Sequence, residues 1–211
     1  MQTFLPYPSF EDSARVLDLK RLGKQRVEVI QIVRALTVPG YAWKSHPAVL
    51  MWQGYEEALG RYGLVMCDAW IERGFDDTCA GTIVDDLAAY GVDEIRTEEA
   101  LREAGSLPPW TSDDAVLESH RSALVRKDPE RYGPLFPDAP ADLPYVWPVR
   151  SPAVVEAEQR KAENAVKREQ RRREKLALEI VKKQRARSAA AKRGAKTRAA
   201  NRKAAEKQRG A

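Results

Sequence analysis

Cysteine, histidine and long apolar runs are all scarce in this 211-residue chain, and each scarcity removes a class of protein. Two cysteines, Cys67 and Cys79, cannot build a disulfide framework, and with only His46 and His120 beside them there is no Cys/His cluster spaced as a zinc site. No structural or catalytic metal is expected. Neither a phosphate-cradling Gly-rich loop nor a Ser nucleophile elbow occurs. No apolar run approaches the ~20 residues of a membrane-spanning helix, and residues 1–10 lack a basic start followed by an apolar stretch. Neither a span nor a secretory signal is expected, and the expected location is the cytoplasm.

A further absence is local. All sixteen aromatic residues lie within residues 1–150 and none follow, so the last 61 residues hold no side chain larger than Leu or Ile with which to close a core. Charge divides at the same place. Residues 1–150 carry 16 Lys/Arg against 24 Asp/Glu, a net −8, whereas residues 151–211 carry 20 against 7, a net +13. The formal +5 of the whole chain averages two different polymers. A 150-residue chain buries roughly 70% of its unfolded surface, enough for one ordinary domain. Residues 1–150 are thus expected to form a domain and 151–211 a basic arm, helical or disordered.

What is present in residues 1–150 is helical periodicity. Ser9 with Asp12 three residues on resembles a capping box and predicts a helix running to about Leu36 before Pro39-Gly40. On it Leu19, Leu22, Val29, Ile32, Val33 and Leu36 share one face, and Lys20, Lys24, Glu28, Gln31 and Arg34 the other. A second helix is expected after His46-Pro47, with Trp52, Tyr55, Leu59, Tyr62, Met66 and Trp70 as a core stripe, though Gly54, Gly60 and Gly63 weaken it. Shorter helices are expected at 82–90 before Gly91, at 97–104 before Gly105, and at 112–126 before Pro129. No alternating strand pattern occurs. Six prolines between 134 and 152, interleaved with Phe136, Tyr145 and Trp147, predict an irregular closing segment laid against the helices. The expected fold is all-α.

Beyond Pro152 the chain is rich in Ala, Lys, Arg, Glu and Gln without an apolar stripe. Arg171-Arg172-Arg173 and Lys182-Lys183 supply charge that can lie along a polyanion, and charge alone does not distinguish DNA from RNA. In the first helix Lys20, Arg21 and Lys24 surround Glu28, an arrangement in which phosphates could bind beside a carboxylate able to move protons. Read blandly, it is an exposed face with an i,i+4 pair between Lys24 and Glu28. Arg26 projects among Leu19, Leu22, Val29 and Val33, so it is either a structural anchor or part of a binding surface.

The run Leu17-Asp18-Leu19-Lys20-Arg21-Leu22-Gly23-Lys24-Gln25-Arg26-Val27-Glu28 resembles the pyrimidine-dimer DNA glycosylase, or endonuclease V-like, family. So do Ser45-His46-Pro47-Ala48-Val49, Trp70-Ile71-Glu72-Arg73-Gly74-Phe75, and His120-Arg121 through Lys127-Asp128-Pro129 to Tyr132-Gly133. The resemblance spans most of residues 1–150 and omits the arm. It implies a small all-α enzyme without metal or cofactor that binds damaged duplex DNA and displaces a base from the stack. In that family an N-terminal α-amine attacks the deoxyribose anomeric carbon to give a Schiff base, a glutamate moves protons, and elimination nicks the strand. An α-amine suits this task because its ordinary pKa of about 7.7–8.0 leaves part of it neutral near pH 7.

Carried onto this chain, the frame set by Asp18 and Leu22 puts Glu28 on the family's glutamate, and the amine falls to Met1, since Gln2 is large enough for Met1 to be retained. His46 falls near the damaged site, and Arg121 and Lys127 in a segment that meets DNA. One departure is Val27, where the family's type member has an arginine. The expected activity is that of a DNA-repair glycosylase and abasic-site lyase, held on the nucleoid by the basic arm. The alternative is a non-catalytic nucleoid- or RNA-associated protein that keeps the fold as a scaffold.

Overall fold

A computed structural model describes residues 1–148, 160, 163, 164 and 166–173. The chain divides into two units, Met1–Val154 and Val155–Ala211. The fold of the described residues is all-α, with no strand among them.

The first predicted helix is two. The helix α1 (Phe10–Val16) starts at the Ser9 N-cap, whose Oγ accepts the Asp12 N–H, and α2 (Leu19–Thr37) starts at Asp18, whose carboxylate accepts the Arg21 N–H. A helix cannot run through a residue that caps the next one, and Leu17 and Asp18 are extended, with ψ of 137° and 166°. The freed carbonyls of Ala14, Arg15 and Leu17 are taken by the Arg73 guanidinium. Leu19, expected on the apolar face, is exposed at this restart.

The second predicted helix is also interrupted. A short α3 (Pro47–Leu50) is followed by a turn at Gly54, φ 83°, before α4 (Glu56–Glu72). The glycines within α4 are explained by packing. A Cβ on Gly63 would stand 2.7 Å from Val29 Cγ1 and 2.8 Å from Ile83 Cδ1, so its absence lets α2 and α5 (Cys79–Ala88) approach α4. Leu22, Val29, Ile32 and Val33 of α2 meet Leu59, Tyr62 and Met66 of α4 and Ile83 and Leu87 of α5 in one buried core.

Around this core stand α6 (Glu98–Glu103), a 3-10 turn at Pro109–Ser112, α7 (Asp114–Lys127) and α8 (Pro129–Tyr132). The Pro-rich segment after α8 packs back as its aromatics predict. Phe136 is buried, Tyr145 and Trp147 pack against the core, and the N–H groups of Leu143 and Val146 donate to the hydroxyls of Ser122 and Ser119 on α7. In the second unit residues 166–173 are helical and exposed, with an ion pair between Arg173 and Glu169 at 3.1 Å.

Candidate active site

The first ten residues decide the site, because their backbone has no strand partner and must be satisfied by side chains. The Gln2 N–H donates to Glu28 Oε2 at 3.2 Å, and the Gln2 carbonyl accepts from Gln25 Nε2 at 3.0 Å. Gln25 Oε1 accepts the Phe4 N–H at 2.8 Å. The Tyr62 hydroxyl stands 2.8 Å from both the Phe4 carbonyl and Gln25 Oε1, with one proton to give to the pair. Trp52 Nε1 donates to Thr3 Oγ1, the Leu5 N–H to His120 Nδ1, and Arg121 Nε to the Pro6 carbonyl. The N-terminus is thereby laid along α2 as a fixed wall.

His120 has a defined tautomer. Its Nδ1 accepts the Leu5 N–H, so the neutral ring carries its proton on Nε2, 2.9 Å from the Gln2 amide. The Gln2 atom placed there is Nε2, while Gln2 Oε1 has no partner, so a half-turn of the amide would bring an acceptor to the His120 Nε2–H. Complete burial pushes the His120 pKa down to about 4, keeping the ring neutral.

Glu28 is 7% exposed, far from the solvated face its spacing suggested, because residues 1–4 cover it. Its two oxygens differ. Oε2 is committed to the N–H groups of Gln2 and Gln25, both at 3.2 Å. Oε1 faces the Met1 ammonium at 3.9 Å and Lys24 Nζ at 3.8 Å. These distances are ion pairs without direct hydrogen bonds, leaving room for a reacting group. The Met1 side chain is itself 6% exposed and packs at the edge of the core, so the amine is held.

Above Glu28 opens a cavity of about 520 Å³, lined by Met1, Gln2, Phe4, Lys20, Arg21, Lys24, Gln25, Glu28, Lys127 and Tyr145. At its rim Asp18 binds Arg21 and accepts the Tyr132 hydroxyl at 2.7 Å. Burial alone would raise the Asp18 pKa, but the Arg21 and Tyr132 hydrogen bonds outweigh it and hold it below the usual carboxylate range. His46 lies outside the lining as the N-cap of α3, its Nδ1 accepting the Ala48 N–H. Its pKa is lowered by burial first and by the N-terminal ammonium second, so the ring feels the amine.

Cations divide by type. Each of the eleven arginines in residues 1–148 has an acidic or carbonyl partner, while three of the four lysines there, Lys20, Lys24 and Lys127, line the cavity. An acidic domain thus keeps its most adaptable positive charges at one opening. Arg26 is not among them. It pairs with Asp77 at 2.9 Å, with Trp70 stacked over its guanidinium at 4.2 Å. Gly23 makes that possible, since a Cβ there would lie 3.1 Å from the indole. Arg121 belongs to a second hollow beside Tyr7 and Phe136.

Six of the expected site residues therefore meet: Met1, Glu28, Lys20, Arg21, Lys24 and Lys127. Residues 1–82 match the family model of the pyrimidine dimer DNA glycosylases. The match supports a DNA-repair glycosylase role and DNA as the substrate, and it covers the amine, Glu28 and the α2 lysines. Lys127, His120 and Tyr145 lie beyond the matched segment. Searches of curated proteins and of solved structures return no match.

Sequence reasoning missed Gln2, Gln25, His120 and Tyr145. Gln25 and His120 did carry a signal, as polar residues within apolar helical faces, but their partner was an N-terminal segment whose course has no periodicity. Of the arm, Arg171, Arg172 and Arg173 are exposed on the helix at 166–173, and Lys182 and Lys183 lie outside the described residues. Among the described residues no group of three or more His, Cys, Asp and Glu is placed to hold a metal, and no helix is long and apolar enough to cross a membrane.

Proposed function

We propose that this chain is a glycosylase and abasic-site lyase for duplex DNA damaged at pyrimidine dimers, with the Met1 α-amine as nucleophile and Glu28 as proton-transfer group. The observation that carries this reading is the open contact between the amine and Glu28 Oε1, at 3.9 Å on the wall of a cation-lined cavity. Lys20, Lys24, Arg21 and Lys127 would hold phosphates on either side of the lesion. Besides the chain and the DNA, the reaction uses only water.

In the reaction the neutral amine bonds to C1′ of the deoxyribose. The C1′–N bond to the base breaks, its electron pair leaves with the base, and the base takes up a proton from water. Oε1 accepts the amine's released proton and returns it to O4′ as the sugar ring opens to the iminium. The same oxygen then removes a proton from C2′, expelling the 3′ phosphate by β-elimination. Water hydrolyses the iminium and frees the amine. Oε2, bound by two N–H groups, stays an acceptor throughout and fixes the carboxylate while Oε1 changes protonation.

The basic arm is assigned sequence-independent, salt-sensitive affinity for nucleic acid, with duplex DNA as the main partner and RNA as a second. The test is strand cleavage on dimer-containing, abasic and undamaged duplexes with the wild type and Glu28→Gln. The reading expects cleavage of the first two only, reduced about 10²-fold or more by the substitution. Equal cleavage by both proteins would remove Glu28 from the chemistry, and binding indifferent to lesions without cleavage would leave a non-catalytic DNA-binding protein.

A further inference from the structure

Trp43 is the most exposed aromatic side chain among the described residues. It is 64% exposed and outside the core, and it is the one non-glycine among the described residues at positive φ, 71°. A bulky side chain holds this backbone region only where its surroundings over-determine it. Here the His46 N–H donates to the Trp43 carbonyl at 2.9 Å, fixing the turn between α2 and α3. The core gains little from a side chain so exposed.

Its neighbours lead to the cavity. The His46 ring meets Trp43 edge-on at 6.0 Å and Trp147 edge-on at 6.1 Å. Trp147 meets Tyr145 at 5.4 Å, and Tyr145 lines the cavity over Glu28. Four rings thus run without a gap from the cavity to the exposed indole. Lys44 follows Trp43, exposed and without an ion-pair partner among the described residues. A ledge of rings flanked by lysines matches a flat π-faced group carried on a phosphate chain.

We propose that Trp43, backed by His46 and Trp147, is the stacking platform for a nucleobase that has left the duplex beside the cavity. The inference rests on the glycosylase reading for what occupies the cavity, but stacking itself requires no chemistry. The phosphates beside that base would then lie within reach of Lys44, which follows Trp43 in the chain.

The test uses full-length protein and a duplex carrying a tetrahydrofuran abasic analogue opposite 2-aminopurine, which cannot be cleaved and reports unstacking by its fluorescence. Trp43→Ala is expected to weaken binding to this duplex about tenfold, to change binding to a fully paired duplex by less than twofold, and to leave bound 2-aminopurine brighter than wild type does. Trp43→Phe, which keeps a ring, should recover most of the affinity. Equal binding of the lesion duplex by wild type and Trp43→Ala, with equal fluorescence, would overturn the platform even if wild type cleaves abasic DNA. A Trp43-dependent preference in a protein that cleaves nothing would support the platform and overturn the catalytic reading instead.

Discussion

Two buried carboxylates beside one helix have opposite surroundings. Asp77, whose side chain is 1% exposed, is closed against Arg26 at 2.9 Å, roofed by Trp70, and accepts the Ala80 N–H at the start of α5. Glu28, two positions along α2 from Arg26, has its cations at 3.8 and 3.9 Å and an open cavity above it. A closed pair joins elements, and an open one leaves an oxygen free to exchange a proton. The difference places Asp77–Arg26 in the fold and leaves Glu28 Oε1 open, as the proposed chemistry requires, although Arg26 and Lys24 lie in the same run Leu22-Gly23-Lys24-Gln25-Arg26.

The comparison breaks most readily at Asp77. Replacing it by Asn strands the Arg26 charge in a buried site, and removing one partner of such a pair costs about 3–5 kcal/mol. Denaturant unfolding should show that loss, while the protein that remains folded cleaves abasic DNA at close to the wild-type rate. Glu28→Gln should do the reverse, with cleavage lost and unfolding shifted by less than about 1 kcal/mol, since the amide oxygen can still accept the Gln2 N–H. A large stability loss in Glu28→Gln would mean that both carboxylates are structural.

The wall beneath Glu28 should show in the pH dependence of stability. His120 binds protons with a pKa of about 4 when folded and about 6.5 when unfolded. The unfolded chain is protonated first, so the contribution is intact above about pH 6.5 and is lost as pH falls through 4. Between pH 7 and 5.5, where carboxylates titrate little, unfolding free energy should drop by about 1 kcal/mol. A His120→Asn variant, compared over the same interval, should show a flatter profile.

The smallest effect concerns the cavity cations. Lys24→Gln or Lys127→Gln should weaken binding to any duplex and lower the slope of log affinity against log salt by about one unit each. Arg34→Gln, whose guanidinium is paired with Asp86, should leave that slope unchanged. A salt slope insensitive to Lys24 and Lys127 but abolished by truncation after Pro152 would assign all phosphate contacts to the arm.

Much of this contrast is legible in the sequence, but unevenly. Periodicity and caps reveal an all-α domain, and the Ser9 cap, Gly91, Gly105 and the turn before Pro129 fall where the chain turns. The break at Asp18 does not show, because an Asp inside an apolar-periodic run reads as helix until Arg73 is known to take the carbonyls before it. The bland reading of Lys24–Glu28 keeps its i,i+4 pair, at 3.8 Å, but loses the exposed face at Glu28 for a related reason. Burial of Glu28 depends on where residues 1–5 go, and that is fixed by Gln25, Tyr62 and His120 from three helices. Arg26, left open between anchor and binding surface, pairs with an Asp fifty-one residues away that no local pattern connects to it.

In the proposed reaction the Met1 amine bonds covalently to the deoxyribose. Borohydride reduction of the full-length protein with abasic duplex, followed by peptide mapping, tests it most directly. The expected adduct lies on the peptide containing Met1, at its α-amine. An adduct on Lys24, whose ammonium lies as near to Glu28, or no adduct at all, would contradict it.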